Sequence, residues 1–328
     1  MIRTSDFHRL NPLLKKKSAA VLISLFQYIL IVGICFTIVF PMLFMIISSL
    51  KSASDIYNET VVWIPRSMTW NSVKSNYSDA MLLLNYWKSF LGSLKYVGIT
   101  TVLQVASSCF IGYGFARFKF FGHRLLFSLV IFTIVIPPFT TLIPTFLNYK
   151  VFNPLGIFTL LRLKPPNLLE TYWPFVLTCL TGFGFRSGLY IFIMKQFFEG
   201  TPRELSEAAA IDGCGTFGIF FKIMVPSATG AILTVILFSI VWQWTDVLNT
   251  TVFMSGESVL MKSLLALPGN FNNLISTGKV FFPNNRIGVD GTILTQTAVL
   301  LVLSPILLLY AVLQKYFVES IDKTGLVE

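Results

Sequence analysis

Long apolar stretches with few charges alternate with polar segments of varied length along this chain. Runs near 20–49, 96–116, 125–147, 172–198, 228–253 and 291–315 are dominated by Leu, Ile, Phe and Val. Each reaches the roughly 20 residues needed to cross a hydrocarbon core about 30 Å thick. None shows the polar alternation that a lumen-facing barrel strand requires, so the pattern predicts six transmembrane helices and an all-α integral membrane protein. Pro137, Pro138 and Pro144 fall in or beside the third run and predict a bend there, because proline removes a backbone donor and clashes with the preceding turn.

Composition agrees with the pattern. The chain is 54% hydrophobic and only 12% charged, with a mean hydropathy of +0.73, which excludes an ordinary water-soluble fold. The net charge of +10 comes from Lys and Arg scattered over the loops. They form no stripe of the kind nucleic acids require, and suit loops that meet anionic lipid. Cys35, Cys109, Cys179 and Cys214 show no metal-type spacing and imply neither a disulfide nor a metal. The first apolar run begins at Ala19 and far exceeds a signal-peptide core of about 7–15 residues, so it is expected to be retained. The expected division is a cytoplasmic segment over 1–19, a transmembrane domain over 20–318 and a cytoplasmic tail over 319–328. Lys and Arg beside membrane spans are held on the cytoplasmic side. Placing both termini there gives thirteen basic residues on the cytoplasmic loops and eleven on the longer opposite ones, a modest bias.

The loop at 199–226 carries the densest pattern. Thr201, Pro202 and Glu204 read as a cap, a first-turn proline and the return arm of a capping box. Ala208, Ala209 and Ala210 are strong helix formers, and Gly213 offers a left-handed stop. The product is a helix of about ten residues, roughly 15 Å long. Its smooth alanine face, rimmed by acids, suits the groove of another protein; an interfacial helix that only joins two spans is the competing reading. A second amphipathic piece starts at Gly215-Thr216, with Phe217, Ile219, Phe220 and Ile223 available to the membrane side before Pro226.

Glu207-Ala208-Ala209, then Asp212-Gly213, Ile223 and Pro226, resemble the EAA loop of binding-protein-dependent ABC importer permeases, in the carbohydrate-uptake branch similar to the maltose-type permeases. The likeness extends through Gly112–Gly122, Gln196-Phe197-Phe198, Trp244–Asp246 and Gln314–Val318. It implies a coupling helix seated in a cleft of an ATP-binding cassette ATPase dimer, with Arg203, Glu204, Glu207, Ala208, Ala209, Asp212 and Gly213 at that contact. It further implies a second homologous permease, an extracytoplasmic solute-binding protein and import by alternating access across the cell membrane, the solute being a sugar or oligosaccharide. Gly92-Ser93, Thr245 and a longer loop over Tyr149–Thr171 depart from the family pattern and bear on cargo more than on mechanism.

No phosphate-cradling Gly-rich loop is present. The nearest string, Thr277-Gly278-Lys279-Val280, lacks its first glycine and its hydroxyl residue. The chain is therefore expected not to be an enzyme and to bind no cofactor, ATP and Mg belonging to the partner subunit. Arg186, inside the fourth run, is costly at that depth and calls for a partner, water or a solute path. Trp242, Trp244 and Asp246 could hold a sugar, although Trp also gathers at membrane interfaces for physical reasons alone. A secondary transporter or channel independent of any ATPase is the alternative; it leaves the capped alanine helix unexplained. A membrane-embedded enzyme is a weaker one, since His8 and His123 lie outside the runs with no triad or metal set around them.

Overall fold

The computed structural model describes residues 5–325 apart from 57, 59, 62 and 277–290, so the Thr277–Val280 string lies outside the described residues. Among them every regular element is a helix. The chain forms two compact units, Met1–Ala80 with Phe282–Leu300, and Met81–Phe281 with Leu301–Glu328.

In the first unit the Ser5–Leu50 helix contains a 31-residue apolar stretch from Ala20. Large apolar side chains are exposed around its whole circumference, Phe26 and Ile38 among them. A helix apolar on every side has lipid as its solvent. Its C-terminal end is pinned by polar contacts. The Asn76 amide donates to the carbonyls of Ser49 and Lys51, 2.9 Å each, and Lys51 Nζ donates to the Val61 carbonyl at 2.8 Å. Asp55 accepts from the Ser67 backbone N–H at 3.1 Å and from its hydroxyl at 2.7 Å.

The second unit is built on the 32-residue Tyr86–Arg117 helix, which begins ten residues before the expected span because Lys88 and Lys95 interrupt the uncharged run without interrupting the helix. It packs lengthwise on Ser187–Gly200 and on Thr229–Trp244. Close approach is possible because Gly112 has no side chain: a Cβ there would stand 2.7 Å from Met194 Cβ and 2.9 Å from the Lys195 nitrogen. Cys109, Tyr113, Tyr190, Met194 and Phe198 close the seam, joined by Ile219, Phe220 and Met224.

The expected proline bend is present: His123–Val135 and Pro138–Leu160 meet at 106°. The fourth run differs from expectation. It is two helices, Trp173–Leu180 and Ser187–Gly200, neither long enough to cross a bilayer alone. Between them the backbone turns left-handed at Gly182 and Arg186, with φ of 78° and 64°. The break escapes a reading based on charge because residues 181–185 are all uncharged. The fifth run ends its main helix at Trp244 and resumes over Leu248–Phe253, leaving Asp246 in the gap. Three described helices are long and apolar enough to cross a membrane, Ala20–Leu50, Tyr86–Arg117 and Gly291–Lys315, and up to five if each bent pair counts as one span.

Candidate functional site: a cavity at two helix breaks and an exposed short helix

The breaks at 181–186 and 245–247 open onto a cavity of about 450 Å³. Tyr96, Thr141, Asn148, Thr178, Arg186 and Asp246 are among its walls. A backbone carbonyl freed by a helix break inside a membrane needs a new donor. Phe185 finds one in the buried amide of Gln104, Nε2 to O at 2.7 Å. Gln104 in turn accepts from the Ser239 hydroxyl at 2.7 Å and from Gln243 Nε2 at 3.3 Å. The Tyr96 hydroxyl lies 2.6 Å from Gln243 Oε1 and 2.9 Å from Asp246 Oδ2. A continuous buried polar chain therefore runs from one break to the other. Sequence reasoning passed over it, although Tyr96, Thr100, Gln104 and Ser107 recur at helical spacing and mark a polar stripe in an apolar helix.

The four residues expected on a solute path are placed differently. Arg186 and Asp246 both line the cavity. Trp242 lies behind Arg186, whose guanidinium sits 4.4 Å from its ring centroid and 5.4 Å from that of Phe185. Trp244 does not line the cavity; it is buried, donates from Nε1 to the Val302 carbonyl at 3.1 Å, and meets Phe90 edge-on. The two charges do not pair, and no described carboxylate stands within 4.0 Å of the guanidinium. Asp246 is instead held by Tyr96 and by the backbone and side-chain nitrogens of Asn249, at 3.1 and 3.0 Å.

The short helix is present over Arg203–Ile211, and its ends differ from expectation at one side only. Thr201 does not cap it. The Thr201 hydroxyl donates to the Phe197 carbonyl at 3.0 Å, closing the preceding helix, and Pro202 stands just before the first helical residue. No side chain caps the first turn of the Arg203–Ile211 helix, so the capping box does not form. The C-terminal end matches: Gly213 has φ of 81°, with Cys214 N bonded to Ala209 O at 2.9 Å and Gly213 N to Ala210 O at 3.1 Å. That pair of bonds is a Schellman motif.

Of the seven residues expected at a partner ATPase, Arg203, Glu204, Glu207, Ala208, Asp212 and Gly213 are exposed. Ala209 faces the other way, packed with Ile219, Phe220 and Met224. Glu204, Glu207, Ala208 and Ile211 recur at i, i+3, i+4 and i+7 and so share the outer face. Ile211 was not anticipated. It is 87% exposed, an apolar knob between acids, and the same spacing would have revealed it.

Residues 108–323 match the model of the binding-protein-dependent transport system inner membrane component. The osmoprotective compounds uptake permease protein GgtD of Synechocystis is 30% identical over 297 residues, 90% of this chain and 89% of that one. The arabinooligosaccharides transport system permease protein AraQ of Halalkalibacterium halodurans is 25% identical over 318 residues, 95% and 99% of the two chains. A chain of a bacterial ABC transporter involved in import of the acidic polysaccharide alginate superposes with a TM-score of 0.70 at 18% identity, over 91% of this chain and 98% of that one, a likeness of fold.

Proposed function

The chain belongs to the family of binding-protein-dependent transport system inner membrane components, and from that premise we propose that it carries a saccharide and is driven through the exposed face of its Arg203–Ile211 helix. As a member it is a permease subunit of an ABC importer, with ATP hydrolysis in a separate subunit. Family membership sets aside the ATPase-independent transporter.

The saccharide reading draws on AraQ, whose name gives arabinooligosaccharides as its cargo. Six spans are proposed, the fourth broken at 181–186, with both termini cytoplasmic. A second, homologous permease completes the pore, and an extracytoplasmic binding protein delivers the solute. ATP and Mg are held by the ATPase pair. Arg203, Glu204, Glu207, Ala208, Asp212 and Gly213 face that pair, with Ala209 seating the helix on its own core. Arg186 and Asp246 stand on the solute path, Trp242 supports Arg186, and Trp244 serves the path only through packing.

One observation carries the coupling role: an acidic, small-residue face stands free on a helix whose opposite face and C-terminal end are both fixed. Closure of the ATPase pair would then move a rigid lever rather than a loop. The test is uptake into proteoliposomes holding the assembled transporter. Labelled oligosaccharide should accumulate only with ATP and binding protein together; accumulation without ATP would overturn the reading.

A further inference from the structure

We propose that the cavity takes a saccharide bearing a carboxylate, a uronic-acid unit, and that Arg186 is the residue that selects it. This rests on the saccharide-importer reading above. An arginine stays ionised in proteins, and a charge at membrane depth is expensive unless paired. Arg186 is such a charge. Its Nε is buried without a hydrogen-bond partner, and no described carboxylate lies within 4.0 Å. Asp246 shares the cavity and does not serve as the counter-ion, since its oxygens are taken up by Tyr96 and Asn249.

The guanidinium is also held in place before any ligand arrives. Trp242 and Phe185 present ring faces to it at 4.4 and 5.4 Å, and its backbone is locked in the left-handed region at φ 64°. A fixed planar fork matches a carboxylate with two parallel hydrogen bonds. With Nε turned into the protein, the terminal nitrogens are the donors left for the cavity. Thr141, Asn148 and Thr178 on the walls offer hydroxyl and amide groups to ring hydroxyls. A neutral saccharide would use these and leave the charge unmet. The volume of about 450 Å³ falls in the range of small-molecule sites.

The test uses the complete transporter in phosphatidylcholine nanodiscs and isothermal titration with digalacturonate and its carboxyl-reduced counterpart. Digalacturonate should bind at least about tenfold more tightly, as one charge-assisted bidentate pair allows. Arg186→Gln should erase that preference, and Arg186→Lys should keep part of it while losing the fork. Equal binding of the two disaccharides by the unmodified transporter, which needs no variant to fold, overturns the proposal. So does an unchanged preference in Arg186→Gln, or a preference that vanishes when phosphatidylglycerol is added, which would mark the anion as a lipid headgroup. If neutral oligosaccharides are imported with ATP and no acidic preference appears, only this inference fails. If no saccharide is imported, the underlying reading fails with it.

Discussion

Arg117 and Thr201, 84 residues apart, are joined by a 2.8 Å hydrogen bond from guanidinium Nη2 to carbonyl oxygen. Arg117 ends the central helix of its unit, and Thr201 opens the two-residue strap that leads into Arg203–Ile211. The exposed helix is thus tied to its surroundings at two places, by this bond before it and by Ala209 against the core beneath it, while the Schellman bonds of Gly213 and Cys214 close its own C-terminal end.

Loss of the first tie should loosen transmission without removing the helix. Hydrogen bonds to charged groups contribute about 1.5–3 kcal/mol. Arg117→Gln is expected to keep most ATP hydrolysis while solute imported per ATP falls severalfold. Parallel measurement of phosphate release and uptake in proteoliposomes checks this, and an unchanged ratio would remove Arg117 from the coupling path.

Charge and shape of the outer face can be tested separately. Glu207→Lys reverses a charge on an exposed position and should abolish association with the ATPase while insertion continues. Gly213→Pro should do so by another route, since proline cannot adopt φ of 81° and loses the N–H bonded to Ala210. Gly213→Ala is milder, costing about 1–2 kcal/mol for the left-handed backbone. Co-purification of either severe variant with the ATPase at normal yield would sink the assignment.

Two glycines on one helix give a contrast in packing. Gly112→Ala places a Cβ 2.7 Å from Met194 Cβ and close to the Lys195 backbone, so the two helices must separate. Gly114→Ala meets nothing within 4 Å. The first substitution should lower the melting temperature of the assembled transporter, overpacking costing roughly 1–3 kcal/mol. The second should leave it unchanged within error, and an equal loss at both positions would refute the close-approach argument.

Asp55 supplies a pH dependence outside the membrane spans. Burial pushes its carboxyl up, and this is outweighed by the Ser67 hydroxyl and backbone N–H, the Arg66 backbone and the Lys51 charge, so it lies below the usual carboxylate range. A depressed folded-state value gives stability that is present above the unfolded value and lost as pH falls through the folded one. The melting difference between the unmodified chain and Asp55→Asn should therefore be full at neutral pH and vanish only under strong acid. A difference that grows on acidification has the wrong sign for this account.

Much of the architecture is legible in the sequence. Apolar length alone located Ala20–Leu50 and Gly291–Lys315, and the prolines located the 106° bend. The split of the fourth run was not legible, because its cause is backbone conformation at Gly182 and Arg186 rather than a change in polarity. Thr201 was misread because a hydroxyl between two helices can serve either, and the preceding helix runs to Gly200, which brings the Phe197 carbonyl one turn back within its reach. Gln104 was legible as part of the polar stripe with Tyr96, Thr100 and Ser107, but its role was not, because the Phe185 carbonyl it satisfies is freed only by the break in the neighbouring helix. The outer face of Arg203–Ile211, in contrast, follows from helical spacing, and only Ile211 was missing from it.

The most direct test of the coupling role is a photo-crosslinking amino acid placed at Ile211 in membranes containing the whole transporter. An adduct of this chain with the ATPase subunit is expected on illumination, and none from the same probe at Ala209, which is packed inward. A transporter that imports normally, yet crosslinks from Ile211 only to lipid or to itself, would contradict it.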